Sequence, residues 1–142
     1  MSAHRDMTIG EASAATGVNI ETIRYYERAG LIAPPVRSGG GRRLYGHEQA
    51  SQLRFIRNCR SLGFKMEDIR ALMSLPQNGG GAAEAEARAL TARHLSEVRA
   101  KIAELKKLEA ALKTMVSACK PGEQSTCPIV AALAAPGSNA AQ

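Results

Sequence analysis

Thr8-Ile9-Gly10-Glu11-Ala12-Ser13-Ala14-Ala15-Thr16-Gly17-Val18-Asn19-Ile20-Glu21-Thr22-Ile23-Arg24-Tyr25-Tyr26-Glu27-Arg28 holds two helix starts and one enforced stop. Thr8 and Glu11 have the S/T-x-x-E spacing of a capping box, in which each side chain satisfies the other's orphan amide. Gly17 is placed to end this first helix in a left-handed conformation, which glycine adopts without steric cost. Asn19 can cap a second helix over residues 20–28, which Gly30 would close. Two short helices joined by a tight glycine turn make a helix-turn-helix. Two-helix corners without a DNA role are common, so the flanking sequence has to decide.

On the C-terminal side Pro34-Pro35 stops helical continuation. Ser38-Gly39-Gly40-Gly41 runs straight into Arg42-Arg43-Leu44-Tyr45. That pattern predicts a small β-wing, a glycine-rich hairpin tip with basic and aromatic residues on its return strand. A third helix is expected over residues 47–62, with Leu53, Ile56 and Cys59 on one face and Gly63 as its breaker. A fourth is expected over 65–75, carrying Met66, Ile69, Leu72 and Met73. Pro76-Gln77-Asn78-Gly79-Gly80-Gly81 reads as a linker.

Residues 82–118 contain neither proline nor glycine, enough for a helix of roughly 55 Å at ~1.5 Å per residue. Leu95, Val98, Ile102, Leu105, Leu112 and Val116 are spaced 3, 4, 3, 7 and 4 apart, with Glu109 where another seam residue would fall. This is the seam of a coiled coil with one polar interruption. So small a chain cannot bury it alone, and a second copy is the simplest partner. The expected fold is all-α with a small β-wing. A winged helix-turn-helix head covers 7–75 and a dimerisation helix covers 82–118. A loop and short helix cover 119–135, with Pro128 at the first helical position and the helix running through Leu133. Residues 136–142 are expected to be a disordered tail.

Nineteen Lys and Arg face thirteen Asp and Glu, a net charge of +6, and eleven of the basic but seven of the acidic residues fall in 1–75. A basic head favours a polyanionic partner, because neutralising phosphates releases counterions. Chemistry-bearing motifs of an enzyme are missing: there is no catalytic dyad, phosphate loop or cofactor fingerprint. No apolar run approaches the roughly 20 residues needed to span a bilayer. The opening Met-Ser-Ala-His-Arg-Asp is not an apolar leader. A cytoplasmic protein is expected, in which three cysteines are free thiols or metal ligands rather than disulfides.

Within the head, Arg24 offers a bidentate fork for a guanine edge or a phosphate. Glu21 and Thr22 stand at the start of the second helix, where base contacts are usually made. Of Tyr25 and Tyr26, one should face outward and offer its hydroxyl to phosphate while the other joins the core. Arg37, Arg42, Arg43 and Tyr45 of the wing suit backbone contacts that set register. The DNA-binding set is therefore Thr22, Arg24, Tyr25, Arg37, Arg42, Arg43 and Tyr45.

The runs Thr8-Ile-Gly-Glu-Ala, Thr16-Gly-Val, Ile23-Arg-Tyr-Tyr-Glu, Gly30-Leu and Arg43-Leu-Tyr45, extended by Cys59-Arg-Ser-Leu-Gly-Phe64 and Cys127-Pro-Ile, closely resemble the MerR family of transcriptional activators. The resemblance covers roughly residues 7–134. It implies a winged helix-turn-helix homodimer joined by an antiparallel coiled coil and bound to a palindromic operator in double-stranded promoter DNA. It also implies activation by DNA distortion, with RNA polymerase as partner.

Cys119 and Cys127 bracket seven residues that include Pro121-Gly122, which lets the loop fold back. Thiolates select soft cations, and a cysteine just before a helix start is biased toward thiolate. Metal-responsive members of the family that answer divalent ions carry a third cysteine at the start of the long helix, a position that aligns here with Glu84. Two sulfurs and no third point to Cu(I), or to Ag(I) or Au(I), as in the copper-efflux type. The departure at Glu84, where that type has serine, leaves a divalent soft metal (Hg, Cd, Pb or Zn) as the alternative. A thiol-disulfide redox switch is a further one, and a drug-sensing relative is disfavoured for want of an added ligand domain. Cys59 is expected in the core, His94 at a surface or interface, and His4 and His47 in solvent.

Overall fold

The computed structural model describes residues 6–120, 122 and 127–137. The expected tail falls largely outside these, as do His4 and most of the loop between Cys119 and Cys127. The chain forms two compact units, 1–90 and 91–142.

The first unit follows the local signals closely. Helix α1 is Ile9–Thr16, and its capping box is closed in both directions. The Glu11 amide donates to Thr8 Oγ1 at 3.3 Å and the Thr8 amide to Glu11 Oε2 at 3.4 Å. Gly17 ends α1 at φ 74°. A Cβ there would meet only the movable Arg57 guanidinium at 3.0 Å, so it is the left-handed backbone that favours glycine. Asn19 Oδ1 accepts the Glu21 amide at 2.9 Å and starts α2, Ile20–Arg28.

The wing pairs β1, Val36–Arg37, antiparallel with β2, Arg43–Leu44, placing Val36 opposite Leu44 and Arg37 opposite Arg43. Ser38 closes the tip, donating its amide to the Arg42 carbonyl at 2.7 Å and accepting that of Gly41 at 2.9 Å. Arg37 donates to the Gly41 carbonyl at 3.2 Å. Beyond the wing, Met7 and Tyr45 exchange two backbone bonds of 2.8 and 2.7 Å. This isolated bridge ties the chain's start to the end of β2, and no local pattern announces it.

Helix α3 is His47–Ser61 and α4 is Met66–Ser74, each within a residue of expectation at both ends. Ile23, Tyr45, Leu53, Ile56 and Ile69 are fully buried at the centre of the core, where Tyr26, Leu31, Ile32, Cys59 and Phe64 join them. The core draws on all four helices and on the end of the wing, so it fixes the recognition helix against the hairpin.

Helix α5, Gly80–Ala118, begins two residues before the expected start. Gly80, at φ 67°, enters the helix through a conformation closed to other residues, so the last glycines of the linker act as helix entry. None of its residues is buried. Leu95, Val98, Ile102, Leu105, Leu112 and Val116 are exposed along it, joined by Leu108. Leu108 fills the gap beside Glu109 that the sequence left polar. Helix α6, Pro128–Ala134, extends one residue past expectation.

Truncating Leu53, which is fully enclosed, should cost about 2–5 kcal/mol, the usual range for emptying a core leucine site. Denaturant unfolding of Leu53→Ala against the parent protein measures it. A loss below ~1 kcal/mol would contradict the placement of α3 at the centre of the core.

Candidate nucleic-acid interface and thiol pair

The exposed face of α2 carries Glu21, Arg24, Tyr25 and Arg28, while Ile23 and Tyr26 point into the core. Tyr25 is thus the outward tyrosine and Tyr26 the inward one, as the alternation predicts. Thr22 is half-buried at the first turn. Arg24, Arg42 and Arg43 meet Thr8, Ile9, Gly10 and Ile20 around a cleft of about 500 Å³. Three arginines and the start of α1 therefore border one concave, basic surface. Arg37 is exposed at the other strand of the wing.

Two carboxylates of α2 are paired with these arginines. Glu21 Oε1 lies 3.0 Å from Arg24 Nη1. Glu27 Oε1 lies 3.4 Å from Arg43 Nε, and Glu27 Oε2 accepts the Tyr45 hydroxyl at 2.9 Å. Glu27 therefore bridges α2 to β2 with both oxygens. Arg60 of α3 borders a shallower cleft with Glu21, Thr22, Tyr25, Tyr26 and Met66. Neither Glu27 nor Arg60 stood out in the sequence. Glu27 sits three residues after Arg24 on the same helix, the one local sign that it belongs to the basic cluster.

In the second unit, Cys119 is half-buried just past α5 and Cys127 is exposed at the N-cap of α6. Both are free. The amides of Val130 and Ile129 hold the Cys127 thiol below its ordinary range, against a small opposing effect of burial, and a hydrogen bond with the Cys119 side chain adds to the lowering. Of the two cysteines that flank the loop, Cys127 is thus biased toward thiolate. Among the described residues no three His, Cys, Asp or Glu side chains gather where they could hold an ion. Thiols are soft donors, the chemistry that selects soft cations. Glu84 is exposed on the opening turns of α5, beside Leu72, Leu75 and Pro76. Cys59 is buried, and burial pushes its thiol up, as expected of a core cysteine. His94 is half-buried, with Nδ1 3.9 Å from Glu97 Oε2.

Residues 7–75 match the profile of the MerR HTH family regulatory proteins, and residues 50–115 match that of the MerR DNA-binding region. The HTH-type transcriptional regulator HmrR of Sinorhizobium medicae is 39% identical over 131 residues, covering 92% of this chain and 88% of that protein.

The chain belongs to the MerR family.

The mercuric resistance operon regulatory protein of Pseudomonas fluorescens is 37% identical over 129 residues, covering 90% of this chain and 88% of its own. The crystal structure of PbrR691 from Ralstonia metallidurans, in complex with lead(II), superposes with a TM-score of 0.74 at 36% identity, covering 90% of this chain and 99% of that one. The mercury(II) complex of MerR from Bacillus megaterium gives 0.68 at 29% identity, covering 89% and 98%. A helical head with a two-stranded wing and a long helix is the shared architecture.

One residue of the expected DNA-binding set is placed differently from the rest. Tyr45 is fully buried, with its hydroxyl given to Glu27, so it is a core residue and not a phosphate contact. The wing strands are two residues long, too short for alternation to say which side chain turns inward. Burial raises the Tyr45 phenol from 10.0 to about 12, the bond to Glu27 and its charge add to this, and Arg43 and Arg24 oppose it. The folded state therefore holds this proton more tightly than the unfolded chain does. The stability this confers is fully present below pH 10 and is lost as pH rises through about 12. Tyr45→Phe should cost on the order of 1–2 kcal/mol near neutral pH. Its deficit relative to the parent should shrink above pH 10, the ordinary phenol value. Unfolding midpoints measured across that range test this; a deficit that stays constant with pH would exclude a Tyr45 proton bound in the fold.

Proposed function

We propose that this MerR-family chain is a metal-responsive transcriptional regulator, not an enzyme, that senses a soft cation through Cys119 and Cys127 and acts as a homodimer on promoter DNA. The observation that carries the reading is the thiol pair. Two free cysteines stand at the end of α5 and the start of α6, and helix amides hold one of them toward thiolate. A bound soft ion would supply a strong two-sulfur tie between the end of α5 and the start of α6. Two sulfurs without a third donor favour Cu(I), with Ag(I) and Au(I) as chemical neighbours. A second reading, a divalent ion, is favoured by the relatives, whose names and structures refer to mercury and lead. Glu84 is the residue that would then be asked to contribute.

The exposed stripe of Leu95, Val98, Ile102, Leu105, Leu108, Leu112 and Val116 supports the homodimer. Seven apolar side chains along one helix favour a partner helix over water. Operator binding falls to the cleft of Arg24, Arg42 and Arg43, with Thr22, Tyr25 and Arg37 around it. Activation would follow the family's route, distortion of a palindromic promoter site so that RNA polymerase engages it. No helix among the described residues is long and apolar enough to cross a membrane; work in the cytoplasm is part of the proposal.

Leu105→Glu should weaken self-association by at least tenfold, since it places a charge in the centre of the stripe. Analytical ultracentrifugation at micromolar concentration measures it, and a monomeric parent protein would refute the dimer.

Cys119→Ser and Cys127→Ser should each abolish metal-dependent transcription and leave operator affinity within about twofold, because the reading head ends before either cysteine. Serine keeps the size but offers a hard hydroxyl that stays protonated near neutral pH. Transcription in vitro under reductant, with Cu(I), Hg(II), Pb(II) or Zn(II) added, tests the site and the ion together. Full Cu(I) response in Cys119→Ser would refute the thiol pair. Strong induction by a divalent ion that disappears in Glu84→Ala would replace the monovalent assignment. Response to oxidant without any metal would make the pair a redox switch.

A further inference from the structure

We infer that Glu21 is a specificity-determining residue of the reading head: its carboxylate positions Arg24 and keeps phosphate away from it, so that Arg24 is reserved for a guanine edge. The inference rests on the assignment of α2 as the helix that reads DNA.

Glu21 Oε1 lies 3.0 Å from Arg24 Nη1, with the Glu21 side chain 76% exposed and that of Arg24 45% exposed. The pair sits at the open surface of α2 and is not buried structure. The capping duty at this helix start is met by Asn19, whose side chain takes the Glu21 amide, so the carboxylate is free of it. Arg24 in turn borders the cleft it shares with Arg42 and Arg43. A carboxylate beside such a cleft weakens attraction for DNA as a polyanion, yet here it contacts one of the arginines directly.

The physical consequence is a sorting of Arg24's partners. Duplex DNA presents one negative charge per ~1.7 Å of axis, so an unguarded guanidinium finds a phosphate at nearly any register. With Glu21 bonded to it, a phosphate must displace a like charge. Guanine O6 and N7 accept hydrogen bonds without carrying a net charge. They can take the remaining guanidinium N–H groups while Glu21 stays in place. Glu21 thus lowers affinity for every sequence and lowers it least where a guanine meets Arg24. Arg43 has its own carboxylate, Glu27, but that one is half-buried and shared with Tyr45, so it anchors the wing rather than screening a ligand.

The experiment compares the parent protein with Glu21→Gln, Glu21→Ala, Arg24→Ala and the Glu21→Ala/Arg24→Ala double variant. A duplex selected by the parent protein from a randomised pool serves as the specific probe, and a scrambled duplex of equal composition as the non-specific one. Gel-shift affinities are read at several salt concentrations, and thermal unfolding is followed in parallel. Glu21→Gln and Glu21→Ala should bind the scrambled duplex several-fold more tightly. Their selected-to-scrambled ratio should fall about tenfold. The slope of log affinity against log salt on the scrambled duplex should steepen by about one as Arg24 takes a phosphate. In the Arg24→Ala background, Glu21→Ala should change the ratio by less than twofold, with the unfolding midpoint unmoved. An unchanged ratio in both Glu21 variants overturns the inference while leaving α2 as the reading helix, provided that Arg24→Ala lowers the ratio. An equal fall with and without Arg24 overturns it too, since Glu21 would then act independently. If Arg24→Ala leaves the parent's preference intact, the assignment of α2 fails and takes this inference with it.

Discussion

A hairpin with two residues per strand is too short to be stable alone, and the wing takes its rigidity from Tyr45. Its ring is in the core and its hydroxyl is bonded to Glu27 on α2. Glu27 spends its second oxygen on Arg43. One carboxylate therefore couples the orientation of the recognition helix to that of the wing. The Met7–Tyr45 backbone bonds hold the same point from the other side. Without this junction, Arg42 and Arg43 would belong to a loose glycine loop and Arg24 to a separate helix. With it, three arginines border one cleft. The dependence of affinity on shape begins here, because phosphates are spaced by the duplex and a floppy wing would lose ordering entropy at each contact.

The second constraint is the length of α5. A 39-residue helix with no buried residue gains little from tertiary packing, and helix propensity alone stabilises it weakly in water. Its composition compensates in part. Alanine is frequent along it, and pairs such as Lys101–Glu104 at 3.5 Å lie on its surface, worth only a few tenths of a kcal/mol each. The apolar stripe is the larger resource, and it yields stability only when covered. The same helix carries the head's C-terminal boundary at one end and Cys119 just past the other, so folding of the stripe and placement of the thiols are linked through one element.

Much of this was legible because it is local. Thr8–Glu11, Gly17, Asn19 and the glycine run before Arg42 each state a cap or turn within four residues of where it forms. The 3.5-residue repeat from Leu95 to Val116 states a seam, although Glu109 masked the contribution of Leu108. Tyr45 was misread because its inward turn depends on pairing with Met7, nearly forty positions earlier, and on Glu27 in another element. Glu27 itself looked like one more solvated helix charge; only the three-dimensional approach of β2 shows that it joins two arms of the head. The two cysteines stood out in the sequence by residue type and loop length. The amides of Val130 and Ile129 that bias Cys127 follow from its place at the N-cap, which Pro128 at the first helical position already implied.

How a two-sulfur site could choose among metals follows from coordination number more than from raw affinity. Divalent first-row ions bind any set of nitrogen and sulfur donors in a fixed order that ends with copper and zinc, so a tight site alone does not discriminate. Zinc reaches its strength with about four donors; offered two, it must keep waters and gains little over solvent. A d10 monovalent ion is satisfied by two thiolates in line. Proton competition adds to the contrast. Each sulfur must lose its proton before it binds, and the helix amides that hold Cys127 below the ordinary thiol range have already met part of that cost. Two thiolates with a monovalent ion keep one net negative charge, which solvent at an exposed site tolerates. Adding a carboxylate would raise that charge and shift the balance toward a divalent ion. On the proposed two-sulfur site, an added carboxylate is the change that would move the preference from a monovalent toward a divalent ion.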